Sequence, residues 1–397
     1  MKQLPVGVQD FAELRKMDKY YVDKSMLIGQ ILSQNSNGVY SITRPRRFGK
    51  SLNLSMLDAF FNIEYKGNTW FDGLEISKHP EYDSYKNAFP VIYLDLRGIN
   101  FESMRTFFLN MNDAVFRAYR KHLYLRESGT LTEDEEKIFS DLTNRKVIPQ
   151  ILERSIGILS KALERYYGSK TVILIDEYDS IVNNVEDCEL RQEIVDFIRK
   201  MLSCAFKGNN SLQLGVMTGI TQVMLSDDFG GLNNVIRDDI LNTDFGEMYG
   251  FTENEVKQIC ADYGHPEKFE EAKEWYGGYC FNESEVCNPW SILNYVQKNF
   301  RTGSYWAETG GNVEIYDIIS NADDELAENL RTLRSGGTVT EEVDTLVTSD
   351  GYINVYSLMA VTGYLRAIPK GQLYKLSIPN RELRSVFSYG ESSGNTE

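Results

Sequence analysis

Two short stretches of this sequence carry residue types suited to phosphate chemistry. Arg44 to Ser51 reads R-P-R-R-F-G-K-S, and Val172 to Glu177 reads V-I-L-I-D-E. A bound triphosphate needs converging backbone N–H groups, a helix N-terminus, a lysine charge near the β and γ oxygens, and a hydroxyl for magnesium. Gly49, Lys50 and Ser51 supply the last turn, the charge and the hydroxyl. The usual phosphate-loop pattern has glycine six residues before the lysine. Here that position is Arg44, a residue that does not take positive φ cheaply. Arg44, Arg46 and Arg47 can compensate by bringing guanidinium charge to the phosphates. The expected contact set is then Arg44, Pro45, Arg46, Arg47, Phe48, Gly49, Lys50, Ser51 and Leu52. The alternative is a solvated basic turn.

The second stretch reads as a central strand that ends on two acids. Asp176 can hold magnesium together with Ser51, directly or through water, while Glu177 polarises the attacking water. Two adjacent acids at a buried strand end need a cation or donors to offset the burial. The bland alternative is a strand emerging into an acidic loop. Asp179 either supports this site, caps the helix near residue 189, or binds nothing. Thr218, after the strand 212–217, is either a sensor of the γ-phosphate or a strand-end threonine, and Thr221 follows it. Arg46 or Arg47 is the candidate for transition-state assistance, with Lys50 neutralising the β and γ phosphates. His79, His122 and His265 are isolated, which gives no support to histidine metal or triad chemistry. No N-K-x-D element reads a guanine base.

Strand–loop–helix context is what the first motif requires. GVYSIT at 38–43 reads as a strand, and 52–61 places its apolar residues at helical spacing. VIYLDLRG at 91–98 predicts a second buried strand. The segment 101–167 is helical in pattern, with a capped turn at TLTEDEEK and an amphipathic run over 151–167. Strands at 171–180 and 212–221 flank a helix over 189–206. Alternating strands and helices predict an α/β fold, with a mainly parallel sheet flanked by helices on both faces. From residue 251 the sequence turns helix-rich, with one further short strand expected at 371–380 and a frayed polar tail.

The chain has 397 residues, so two or three packed units are expected. A net charge of −16 repels polyphosphate backbones except where basic residues cluster, so direct nucleic-acid binding is disfavoured. Five widely spaced cysteines without a C-x-x-C pair fit a reducing cytoplasm. No apolar stretch is long enough to span a bilayer, and the first residues lack a secretion signal. No internal repeat or low-complexity tract is present.

Several motifs together resemble the AAA-ATPase-like family of bacterial proteins. They are LPVGVQDF (4–11), YYVDKS (20–25), RPRRFGKS (44–51), ILIDEYD (173–179), MTGIT (217–221), YGFTENE (249–255), WYGGYCF with NPW (275–290), TGYL (362–365) and SIPNREL (377–383). The resemblance covers most of the chain, and in it the arginine-rich loop is the family's own form of the phosphate loop. It implies a P-loop NTPase sheet of the additional-strand (ASCE) type, with the acid-bearing strand beside the phosphate-loop strand. A mostly helical, lid-like region follows. Asp23 and Lys24 match a family element that approaches the base or ribose; the alternative is an N-terminal segment packed by Tyr20, Tyr21 and Val22 with its charges solvated. Members often carry a PD-(D/E)xK nuclease-like domain after the segment resembling SIPNREL. None of its residues is assigned here, because the sequence stops shortly after Glu382.

The expected organisation is an ATPase α/β domain over 1–250, a helical lid-like region over 251–376, and over 377–397 a stub of a further domain with the tail. The expected function is that of an ATP-binding, Mg2+-dependent ATPase module acting as switch or motor for a protein effector. One alternative is a non-hydrolysing, nucleotide-dependent scaffold that recognises a partner through Trp275, Tyr276, Tyr279 and Trp290. A small-molecule phosphotransferase lacks an identifiable acceptor pocket. The sequence gives no inter-subunit arginine motif and leaves the oligomeric state open.

Overall fold

The computed structural model describes residues 1–144, 146, 148–183, 185, 187–223, 234–309, 313–347 and 353–387. Its N-terminal strands are β1 (Val39–Thr43), β2 (Val91–Asp95), β3 (Thr171–Asp176), β4 (Leu212–Gly219), β5 (Gln222–Val223) and β6 (Val235–Asp238). All except β5 form one parallel sheet in the order β2-β3-β4-β1-β6. Residues of β1 and β3 are buried throughout, as a strand covered on both faces requires. Ile173 and Ile175 point into one cluster with Ile156, Leu159, Ile198 and Met201. Val172 and Leu174, one residue out of phase, point into the other with Leu54, Leu57 and Ile42. The helices Met104–Arg120, Pro149–Tyr167 and Cys188–Phe206 cover the first face, and Lys50–Phe61 covers the second.

One expectation about the sheet is corrected. The acid-bearing β3 is not the neighbour of the phosphate-loop strand β1, since β4 lies between them and pairs with both. This is the additional strand itself. With Leu214 and Val216 fully buried, β4 has an apolar side chain for the core where a two-sided strand needs one. The register aligns Asp95 with Asp176 across β2 and β3, and Ile42 with Thr218 across β1 and β4. All carboxyl ends therefore open on one edge, where ligands bind in sheets of this kind.

Local signals explain the helix boundaries. Thr132 and Glu135 form a reciprocal capping box at the start of Glu133–Thr143. Pro149 opens the helix Pro149–Tyr167 and Gly168, at φ 68°, closes it.

The region after residue 251 is mixed rather than mostly helical. It contains helices such as Glu253–Asp262, Pro289–Gln297 and Asp324–Arg334, but also β7 (Tyr279–Phe281), β8 (Ser284–Val286), β9 (Val339–Glu341), β10 (Leu346–Val347), β11 (Arg366–Lys370) and β12 (Leu373–Ser377). β7 and β8 form a hairpin, β11-β12-β9 an antiparallel sheet, and β10 pairs with β5 in parallel. Strands of two or three residues are too short for alternation to register as a pattern. Asn282, at φ 54° in the β7–β8 turn, was the available hairpin signal. Residues 377–387, where a further unit was expected to begin, lie against this region. Leu383, Val386 and Phe387 join the core cluster, and Asn380 Nδ2 donates to Gly277 O at 2.8 Å. The rest of the expected tail lies outside the described residues.

Candidate active site

The phosphate-loop motif continues from β1 through Arg44, whose N–H donates to Gly219 O at 3.1 Å. Gly49 is left-handed at φ 88° and stands at the N-cap of the helix Lys50–Phe61. A glycine meets that backbone requirement without steric cost. The first-turn N–H groups of this helix, with Ser51 and Leu52, face a cavity of about 780 Å³. Lys50 is buried, and its Nζ donates to Arg44 O at 2.8 Å and Pro45 O at 3.0 Å. Burial pushes the Lys50 pKa down, while the carboxylates of Glu177, Asp179 and Asp176 act in the opposite direction.

Glu177, just past the end of β3, lines the cavity, and Asp176 is buried behind it. Thr218 Oγ1 donates to Asp176 Oδ1 at 2.7 Å, and Asp176 Oδ2, fully buried, accepts no hydrogen bond. Arg97 Nε lies 3.8 Å from that oxygen, beyond hydrogen-bond reach. An orphaned buried carboxylate oxygen together with the Ser51 hydroxyl is a donor set that suits a hard divalent cation completed by phosphate and water. Among the described residues no group of three or more His, Cys, Asp or Glu could hold a metal by itself.

Glu177 has φ 52°, an uncommon backbone for a residue with a Cβ and one that tends to occur at functional sites. Burial raises its pKa, offset in part by Lys50. Asp179 supports the neighbouring loop. Its Oδ2 accepts from Ile220 N at 2.9 Å, Thr221 N at 2.8 Å and Thr221 Oγ1 at 2.9 Å. A Cβ on Gly219 would stand 2.4 Å from Asp179 Oδ1, so this approach needs glycine. The helix beginning at Cys188 is capped by Asp187 instead, whose Oδ1 accepts from Leu190 N at 2.8 Å.

Two of the expected loop contacts, Arg44 and Pro45, lie elsewhere, and a third, Phe48, is mostly committed to packing. The Arg44 guanidinium is fully buried on the far side of the loop, with Nη2 donating to Asp238 Oδ1 at 2.5 Å and Thr243 Oγ1 at 2.6 Å. Its charge is spent on an internal carboxylate and does not face the cavity. Phe48 is buried against the Tyr279 and Phe281 rings, at centroid distances of 4.9 and 5.1 Å, although it also borders the cavity. Pro45 does not line the cavity; a Cβ on Gly363 would lie 2.9 Å from its ring. Arg46 and Arg47 do line it, with Arg47 at φ 68°.

Asp23 is outside the cavity. Its carboxylate accepts from Ser25 N at 2.9 Å in a local turn and from Glu75 N at 2.7 Å in a distant segment, a structural tie. Tyr20, Tyr21, Val22 and Lys24 line the cavity, and Lys24 Nζ is held by Glu255 at 2.6 Å.

Sequence reasoning missed Arg97, which lines the cavity and is bound by Asp95 through Nε at 3.0 Å and Nη2 at 2.7 Å. Its Nη1 donates to Gln9 of the N-terminal segment, and Asp95 pushes its pKa up. Its signal was its position just past the carboxyl end of β2, which points to the site only once β2 is known to neighbour β3. Among the described residues, six cationic and two acidic side chains line the cavity in a chain of net charge −16, so positive charge is concentrated where an anion would enter.

All five cysteines are free thiols. Among the described residues no helix is long and apolar enough to cross a membrane. Of the aromatic residues considered for partner recognition, Tyr276 and Tyr279 are buried.

A family model described as "Predicted AAA-ATPase" matches residues 5–229. The chain is also similar to an uncharacterized protein in the vnfD 5′ region of Azotobacter chroococcum mcd 1, at 29% identity. That alignment spans 97% of this chain and 69% of the relative.

Proposed function

Since the chain belongs to the predicted AAA-ATPase family, for which nucleotide binding is implied, we propose that it binds ATP with Mg2+ and hydrolyses it as the switch or motor of an effector protein. The observation that carries this reading is the pairing, in one cavity, of Lys50 and Ser51 at a helix N-terminus with the half-buried Glu177, directly after Asp176 and its orphaned buried oxygen.

Lys50 exchanges the carbonyls of Arg44 and Pro45 for the β and γ oxygens. Ser51 and Asp176 would hold magnesium, which would neutralise phosphate charge there. Thr218 fixes Asp176 and with it the acidic edge of the site. Glu177 orients the attacking water and takes its proton as the water oxygen bonds to the γ-phosphorus and ADP departs. Arg47 supplies charge to the transferring phosphoryl group.

The test is a nucleotide titration with and without Mg2+, followed by phosphate release on the same sample. Lys50→Ala abolishes binding in this reading, and tight ATP binding by that variant overturns the phosphate-loop assignment. ATP binding by the unaltered protein without phosphate release transfers the conclusion to the non-hydrolysing scaffold.

A further inference from the structure

The three arginines of the loop have different surroundings. Arg44 is neutralised by Asp238, as Arg97 across the cavity is by Asp95. Arg47 has no hydrogen bond or ion pair to its guanidinium among the described residues. Instead its Cζ lies 4.3 Å from the centroid of the Trp290 ring. A guanidinium stacked on an aromatic face keeps its N–H groups in its own plane, free to donate sideways to phosphate oxygens. Both residues line the cavity.

The C-terminal region fixes this arrangement on both sides. Trp306 Nε1 donates to Arg46 O at 3.1 Å, and Phe48 is seated between Tyr279 and Phe281. The residues before and after Arg47 are thus held, which sustains its left-handed backbone. Trp290 is followed by Ser291, whose Oγ donates to Glu382 Oε2 at 2.8 Å, while Glu382 Oε1 accepts from Trp306 N at 2.6 Å. One buried carboxylate therefore ties the side chain of Ser291, next to Trp290, to the backbone of Trp306.

We propose that Trp290 is a positioning residue for the phosphate site: its indole holds the Arg47 guanidinium flat and edge-on to the phosphates, so that the C-terminal region completes the nucleotide site and senses its occupancy. This rests on the ATP-binding reading above. The consequence is that the region beyond the family match contributes to affinity through one stack, and that Mg-ATP changes the surroundings of one identifiable indole.

A double-mutant cycle tests it, with Mg-ATP affinity measured by calorimetry on the full chain. Arg47→Ala and Trp290→Leu each weaken binding by about tenfold, within the range of a desolvated cation–π contact. The double variant is no weaker than Arg47→Ala alone, and Trp290→Phe, which keeps a ring, stays near the unaltered protein. Wild-type affinity in Trp290→Leu, or losses that multiply in the double variant, overturns the proposal. Should Trp290→Leu not fold, indole emission decides: Mg-ATP changes it in the unaltered protein but not in Trp290→Phe or Arg47→Ala. A full change persisting in Arg47→Ala refutes the stack. A flat Trp290 series alongside loss of binding in Lys50→Ala removes only this inference, whereas absence of ATP binding by the unaltered protein removes both.

Discussion

Thr218 donates its hydroxyl hydrogen to Asp176 Oδ1 across 2.7 Å, and the other oxygen of that carboxylate is left buried with no hydrogen-bond partner. The hydroxyl fixes the carboxylate plane and so sets where the unpartnered Oδ2 lies. Thr218→Val keeps the shape and removes the donor. It should lower Mg2+-dependent phosphate release by about tenfold, in line with a charge-assisted hydrogen bond of roughly 1.5 kcal/mol, and raise the Mg2+ concentration needed. Thr218→Ser should behave as the unaltered protein. Equal turnover and equal Mg2+ dependence in the valine variant would detach Thr218 from the site.

The same pair marks how far the sequence could be read. Four buried apolar residues ending on Asp176 announced the strand and its acids, because a two-sided strand has a continuous apolar signature. That Thr218 reaches Asp176 depends on β4 lying beside β3, which the sequence alone did not order. Arg44 shows the same limit from the other side. Its proximity to Lys50 in the chain suggested phosphate contact, while its true partner Asp238 lies in another strand 194 residues away. Residue types forecast chemistry well; which charges meet depends on sheet order and on hairpins too short to show periodicity.

Glu177 should separate binding from turnover. Glu177→Gln should bind ATP yet release phosphate about 10²–10⁴-fold more slowly, the usual contribution of a positioned base. Burial raises the Glu177 pKa, and only the ionised form can accept a proton. Turnover should therefore fall as pH is lowered through a midpoint above the ordinary glutamate value, and the glutamine variant should lack that limb. Undiminished turnover in Glu177→Gln takes the base assignment away from this residue.

Arg44 should matter to folding more than to phosphate. Its guanidinium also lies 5.0 Å from the Tyr249 ring centroid and 5.2 Å from that of Phe281, inside the core. Arg44→Ala leaves Asp238 buried without its cation, a loss of about 3–5 kcal/mol measured by denaturant unfolding without nucleotide. ATP affinity of the folded protein should change far less than in Lys50→Ala. Full stability with lost ATP affinity would instead place Arg44 on the phosphates.

Glu382 gives a pH dependence of opposite sign to that expected of the proposed base Glu177. Burial lifts its carboxyl from an ordinary value of 4.5 to about 7, against the lowering effect of the Trp306 and Ser291 hydrogen bonds. The folded protein then holds this proton more tightly than the unfolded chain does. The stability so gained is complete below the unfolded value and is lost as pH rises through about 7. A difference of this size corresponds to about 3 kcal/mol. Glu382→Gln has no such proton to lose: its Oε1 can still accept from Trp306 N, and its Nε2 can donate to Ser291 Oγ. Denaturant unfolding at a series of pH values should show the unaltered protein losing up to that amount relative to the glutamine variant between about pH 5 and pH 8. Parallel stability curves for the two proteins would mean that this carboxylate is already ionised throughout, held so by its hydrogen-bond donors.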